Sequence, residues 1–114
     1  MDPKWLDREG VDQAMTAIDF RELVFDNDLG VYCHGGEPFT GLSFRRSADG
    51  RLQSIVHYAE GLATGVTVVW YPGGQIKSYS EMHSDTLHGL HIEWAKDGAK
   101  TIEQRYRRGK LLPA

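Results

Sequence analysis

Glycine recurs at a fixed interval in this chain. Gly41, Gly65 and Gly89 stand 24 residues apart, as do Gly50, Gly74 and Gly98. Gly61 and Gly109 lie two intervals apart, with Asp85 midway between them. Eight of the 13 glycines therefore share one register. A constant period of this length marks a chain of stacked, equivalent units, each too small to bury its own apolar side chains. The columns between the glycines agree. Leu42, Val66 and Leu90 align, as do Phe44, Val68 and Ile92, then Arg46, Trp70 and Trp94, then Tyr58, Met82 and Tyr106.

Each unit reads as a β-hairpin. Val66–Tyr71 is rich in β-branched and aromatic residues, and Leu90–Trp94 alternates apolar with polar, the pattern of a half-buried strand. Asp49-Gly50, Gly73-Gly74 and Asp97-Gly98 follow as turn dipeptides. A second, more polar strand then runs over 51–59, 75–82 and 99–107. Gly61, Asp85 and Gly109 mark the turn into the next unit. No unit carries an apolar stripe at helical spacing. The expected fold is all-β with a short N-terminal helix: antiparallel hairpin repeats of 24 residues forming an elongated meander sheet. Units fall near 41–64, 65–88 and 89–112, within a repeat region of 36–114.

In the first strands the even-numbered Leu42, Phe44, Val66, Val68, Trp70, Leu90, Ile92 and Trp94 share one face. Ser43, Arg45, Thr67, Val69, His91 and Glu93 share the other. The even face is too apolar to stay wet. Which parity of the second strands joins it depends on turn length. Residues 1–35 are the expected cover: a helix over Lys4–Arg8 ended by Gly10, further helix over Val11–Ala17, and two short strands at 23–25 and 31–33 joined by Asp26–Gly30. Trp5, Leu6, Met15, Ile18, Phe20, Leu23 and Phe25 are its apolar members.

Composition narrows the function. The net charge is −3, which disfavours nucleic acid as a partner. No apolar run is long enough to span a bilayer, and the first residues lack a secretion signal, so a cytoplasmic protein is expected. Charge is unevenly spread. Residues 1–40 hold three basic residues against nine acidic, and residues 96–114 hold six basic against two acidic. Cys33 is the lone cysteine, which excludes an internal disulfide.

The stretch Gly36-Glu37-Pro38-Phe39-Thr40-Gly41, then Trp70-Tyr71-Pro72-Gly73-Gly74-Gln75-Ile76-Lys77-Ser78, then His88-Gly89 and Asp97-Gly98, resembles the variant MORN repeats of YwqK-type antitoxin-like proteins. The resemblance spans 36–112. It implies a single-layer hairpin sheet that binds other macromolecules, as an antitoxin or immunity partner does. The chain departs from that pattern at Asp85-Thr86 and at Ala99-Lys100. These departures make the last unit a cap with a polar edge.

Few residues are spaced for chemistry. His83, His88, His91 and Glu93 invite a metal test, but His88 and His91 face opposite ways on a strand, and His88 holds a turn position before glycine. Cys33 and His34 are adjacent on a strand and cannot pair. No metal, cofactor or catalytic residue is expected. Arg45, Val69, Tyr71, Tyr79, His91 and Glu93 are instead the candidates for a water-facing, partner-binding stripe, since Tyr and Arg are enriched where proteins meet. The function expected is a non-catalytic protein-binding module of the antitoxin or immunity kind, facing a protein partner such as a basic toxin. The alternative is a scaffold or phospholipid-contacting module, supported by Arg105, Arg107, Arg108 and Lys110. A small enzyme using His83, His91 or Cys33 is a third class. Pairing between copies through edge strands is open to either binding module.

Overall fold

The glycine columns become turns in the structure, a computed structural model that describes residues 1–114. After a single 3-10 turn at Pro3–Leu6 come helix α1 (Arg8–Ala14) and strand β1 (Ile18–Asp19). A second 3-10 turn, Phe20–Glu22, leads into β2 (Val24–Asp26), β3 (Val31–His34) and β4 (Glu37–Pro38). The repeat region supplies β5 (Gly41–Arg46), β6 (Leu52–Ala59), β7 (Leu62–Trp70), β8 (Ile76–His83), β9 (Thr86–Trp94), β10 (Lys100–Arg107) and β11 (Lys110–Leu111). Strands β5 to β11 form one antiparallel meander, and β2, β3 and β4 form a separate small sheet. The expected hairpin repeats are present. One strand breaks the expected pattern: β1 joins the edge of the large sheet parallel to β5, pairing Ile18 with Ser43 and Asp19 with Phe44.

The two turn types of each unit differ in chemistry. Within a hairpin the strands close through Ser47 N–H to Arg51 C=O, Tyr71 N–H to Gln75 C=O and Ala95 N–H to Ala99 C=O, leaving three-residue loops. Only the final glycine of each loop, Gly50, Gly74 or Gly98, has positive φ. The Asp-Gly pairs thus form three-residue loops that end in a left-handed residue. Between hairpins, both central residues are left-handed: Glu60 (52°) and Gly61 (80°), Ser84 (48°) and Asp85 (67°), Arg108 (50°) and Gly109 (81°). That is the I′ geometry of two-residue hairpins.

Successive I′ turns are tied by bonds that repeat with the sequence. Gly61 N–H donates to Phe39 C=O, Asp85 N–H to Ala63 C=O and Gly109 N–H to Leu87 C=O, at 2.8, 2.9 and 2.8 Å. The N–H before each is capped by a side chain one unit back. Glu60 donates to Thr40 Oγ1, Ser84 to Thr64 Oγ1 and Arg108 to His88 Nδ1, at 3.0, 3.1 and 3.1 Å. His88 therefore serves a turn, as its place before Gly89 suggests.

One face of the large sheet is covered. Trp5 and Val11 join Leu52, Ile55, Val68, Trp70, Ile76, Tyr79, Leu90, Ile92 and Trp94 in a single core, with Met15, Leu42, Phe44 and Val66 packed against it. The even face of the first strands is the buried one, and the N-terminal segment is its lid. Trp70 Nε1–H donates to the Trp5 carbonyl at 3.0 Å, and Arg8, only 4 % exposed, donates to the Tyr71 and Pro72 carbonyls. Asp12 forms a two-bond clasp with Arg46 at 2.7 and 2.8 Å.

The segment 1–35 differs from expectation in detail. Gly10 does not end a helix but lies in the first turn of α1, because Asp7 caps that helix by accepting from Gly10 N–H. Leu6 and Phe25 are exposed, and Phe20 packs with Tyr32 on the other side of the sheet. Trp5 and Met15 do reach the even face. The small sheet is itself a shortened unit. Gly35 and Gly36 (φ 61° and 84°) make another two-residue left-handed turn between β3 and β4. The strand that runs unbroken in β7 and β9 is split here at Phe39-Thr40, between β4 and β5.

Candidate functional site

The uncovered face of the large sheet is the one surface on which the repeat aligns polar side chains in rows. Every hairpin carries a bulge on its second strand, just after the three-residue loop, at Gln53, Lys77 or Thr101. Register slips between Arg45 and Arg46, between Val69 and Trp70, and between Lys100 and Ile102. The slip sets the parity of the second strands: Ile55 stands beside Phe44 and Val68, and Tyr79 beside Val68 and Ile92. Past the bulge, odd residues of β6 and β8 therefore share the covered face with Leu52 and Ile76 before it, and Ser54, Val56, Ser78 and Ser80 take the open one.

Two cross-strand rows result on the open face. Arg45, Ser54, Val69, Ser78, Glu93 and Ile102 stand opposite one another in sequence across β5 to β10. Ser43, Val56, Thr67, Ser80, His91 and Gln104 form the row beside it, whose β5 end is covered by Phe20 and Tyr32, leaving Ser43 only 1 % exposed. From Arg45 to Glu93 is four strand spacings, about 19 Å. The middle of both rows is small or β-branched, so the surface is shallow between a cationic end and an anionic end.

Of the six expected stripe residues, the structure brings together four: Arg45, Val69, His91 and Glu93. Tyr71 lies outside the strands, beside the β7–β8 loop, half-buried; its hydroxyl donates to the Trp94 carbonyl at 2.8 Å. Tyr79 was expected to face water and instead lies in the core, 3 % exposed. The bulge at Lys77 accounts for this correction, because it turns Tyr79 toward Val68. Burial pushes the Tyr79 phenol well above its ordinary value, helped by the Glu81 carboxylate that accepts its proton at 2.6 Å. Burial alone would raise Glu81, but the Leu90 N–H, the Tyr79 hydroxyl and Arg105 together hold it below the usual range.

Toward the β9 end of the open face lies a hydrogen-bonded chain. The Glu93 carboxylate, an acceptor only, takes the Nε2–H of His91 at 2.8 Å. His91 Nδ1 is then free to accept the Ser80 hydroxyl at 2.7 Å. The Tyr106 ring stands edge-on to His91, centroids 6.2 Å apart, and its hydroxyl donates to Gln104. Such a chain draws the serine proton toward the imidazole. Ser80 sits mid-strand, opposite Thr67 on one side and His91 on the other. The chain fixes the imidazole and carboxylate in place on a surface.

The cationic end of the row borders a cleft of about 200 Å³ between the small sheet and the large one, lined by Phe20, Tyr32, Ser43, Arg45, Val56 and Tyr58 among others. The Arg45 guanidinium stacks 3.8 Å from the Phe20 ring centre and has no carboxylate partner in the chain, unlike Arg8, Arg21, Arg46 and Arg51. Phe25, Phe20, Tyr32, Tyr58 and Phe39 continue as a chain of ring contacts behind it. Burial raises the Tyr58 phenol, with Tyr32 adding to the effect.

Sequence reasoning missed Ser80, Arg8 and this aromatic wall. Ser80 was hidden because its side of the sheet depends on the bulge that places Tyr79; Arg8 and most of the aromatic wall depend on contacts more than ten residues apart. His83 and His88 rings lie 5.9 Å apart. Cys33 is buried and His34 exposed, on opposite sides of β3. No helix is long and apolar enough to cross a membrane. Comparison with protein-family models, with curated proteins and with solved structures found no match to this chain.

Proposed function

We propose that the protein is a binding module that captures a protein partner on the open face of its large sheet, in the manner of an antitoxin or immunity protein. The observation that carries this reading is the asymmetry of the sheet. One face is sealed by Trp5, Val11 and Met15, whereas the other leaves Arg45, Val69, His91 and Glu93 aligned and half-open on rigid strands. Side chains held by cross-strand neighbours lose little freedom on binding, which favours recognition. A fixed acid–imidazole pair at one end and an unpaired guanidinium at the other supply polarity. The likeness of the glycine-spaced motifs to antitoxin-like MORN repeats supports the same class.

The test is co-expression with the product of the neighbouring gene and recovery of a complex from the source lysate. Wild type is expected to retain one partner through washing and to relieve its toxicity. The variant Arg45→Glu with Val69→Asp, both on the open face, is expected to lose both. No stable partner, or equal capture by the variant, overturns the reading. The membrane-surface alternative rests on Arg105, Arg107, Arg108 and Lys110, which lie at one edge and its turn. Salt-sensitive flotation with anionic vesicles would favour it.

A further inference from the structure

The large sheet and the small sheet each end in an unpaired strand, and these two ends carry opposite charge. In the small sheet, β2 is the outer strand. Val24 is 68 % exposed and Leu29, in the turn that follows, 61 %, with Phe25 half-exposed between them. Glu22, Asp26 and Asp28 flank this apolar surface along the chain, and the neighbouring cation, Arg21, is paired with Asp19 through bonds of 2.8 to 3.2 Å. At the far side of the molecule β11 and Leu112 cover Arg105, Tyr106 and Arg107, so the outer edge of β10 is bare from Lys100 to Gln104. Arg105, Arg107, Arg108 and Lys110 there make no ion pair, and Glu103 is held by Lys100 at 3.1 Å. Leu111 and Leu112 are exposed beside them and line an open groove with Leu90 and Arg105.

Five of the seven exposed large hydrophobic side chains thus sit at these two ends, each set flanked by charge of one sign. We propose that a second copy of this chain is the occupant of each end. The acidic, apolar β2 edge of one molecule docks on the basic β10–β11 edge of the next, placing Val24 and Leu29 against Leu111 and Leu112. Like ends repel: β10 against β10 sets Arg105 and Arg107 against themselves, and β2 against β2 does the same with Asp26 and Asp28. The contact is therefore heterologous, and two copies do not use up both ends, so association runs head to tail. Edge charges that discourage indiscriminate strand pairing become the selector for the opposite edge. This surface is separate from the open face, so the two readings stand or fall independently.

Sedimentation velocity of the whole protein decides it. At low salt the weight-average sedimentation coefficient is expected to rise as concentration goes from micromolar to millimolar, and to fall back when salt screens the edges. Two variants each remove one end: Val24→Lys with Leu29→Lys, and Arg105→Glu with Arg107→Glu. All four positions are solvent-facing, and circular dichroism checks that each variant keeps its sheet. Each alone is expected to stay monomeric, and an equimolar mixture to give dimers that grow no further, since it has one intact β2 end and one intact β10 end. Monomeric wild type at millimolar concentration in low salt overturns the proposal. So does association that survives in either variant alone, or a mixture that stays monomeric.

Discussion

The same strands present two faces that do opposite things. On the covered face the repeat places Ile55, Val68, Tyr79 and Ile92 in one line of neighbours, each nearly inaccessible. On the open face the adjacent positions hold Ser54, Val69, Ser78 and Glu93, all half-exposed. Backbone, register and twist are common to both, so the difference lies wholly in the side chains and in what the N-terminal segment covers. One face makes the core, and the other stays half-open beyond the part covered by the small sheet. The cover is also uneven. Core positions occupied by Leu52 and Ile76 in the first two units are taken by Lys100 in the third, and those of Ile55 and Tyr79 by Glu103. Burial fades toward β10, where the edge charges begin.

Paired truncations across the sheet expose this asymmetry most strongly. Ile55→Ala, at a position with no exposure, is expected to cost about 2–5 kcal/mol. Trp5→Ala belongs to the same class, at about 3–5 kcal/mol, because it removes the lid's main anchor and the carbonyl setting that receives Trp70 Nε1–H. Val69→Ala, one row over on the open face, is expected to cost about 1 kcal/mol or less. Urea denaturation measures all three. Equal losses for Ile55→Ala and Val69→Ala would mean that the open face is also part of a core.

The turn columns sharpen the comparison between the small-sheet end and the basic end. Gly61 and Gly109 occupy equivalent I′ positions with φ of 80° and 81°. A β-carbon at Gly61 would meet the Tyr32 carbonyl and Val31 at 2.6 Å, whereas at Gly109 the nearest atom is Thr86 Cβ at 3.9 Å. Gly109→Ala is therefore expected to cost about 1–2 kcal/mol, the left-handed penalty alone. Gly61→Ala should cost clearly more, since the backbone of β3 must shift. Thermal melting of the two variants gives the order; the reverse order would place the small sheet elsewhere than against the Gly61 turn.

Acid separates the two faces in another way. Hydrogen bonding to Arg46 holds Asp12 below its ordinary range, and Glu81 is held low by the groups around it despite its burial. Both clasps belong to the covered side. Each carboxyl binds its proton more weakly in the folded chain than in the unfolded one, so the stability it contributes is complete above the ordinary carboxylate range. It is lost as pH falls through the depressed values. Stability measured from pH 6 down to pH 2 should fall below about pH 4, and less steeply in Asp12→Asn. An identical slope in that variant would show that the clasp with Arg46 contributes nothing.

How much of this was legible beforehand follows from range along the chain. Hairpins, turn positions, the even face and the role of His88 are encoded within one 24-residue period, where glycine, alternation and β-branching act locally. Tyr79 was not placed correctly because its side depends on a single bulged residue, Lys77. A three-residue loop without that bulge pairs like parities and would turn Tyr79 toward water. Arg8 carries no local mark at all: a charged side chain is buried only because two carbonyls of the distant β7–β8 loop receive it. Parallel pairing of β1 with β5 is equally non-local. On the open face, Arg45, Val69, His91 and Glu93 were readable from alternation, but the partner of His91 was not, since Ser80 comes from the neighbouring strand.

The smallest expected effect tests whether the periodic ladder of turn caps is structural in its own right. Thr40, Thr64 and His88 each accept one backbone N–H from the next I′ turn at nearly the same distance. Replacing Thr64 with Val keeps the β-branched shape and removes only the acceptor. Ser84 N–H then turns to water, because the position is exposed, so the loss is a net hydrogen bond of about 0.5–1.5 kcal/mol rather than a buried unpaired group. His88→Ala should fall in the same range, whereas Thr40→Val should cost as much or more, because its turn also receives the Tyr32 N–H from the small sheet. Amide exchange at residues 60, 84 and 108 reads each cap separately. Faster exchange confined to the turn after the altered residue means that the units are fastened one by one; faster exchange spreading through all three turns would mean that the ladder acts as a single cooperative spine along one edge of the open face.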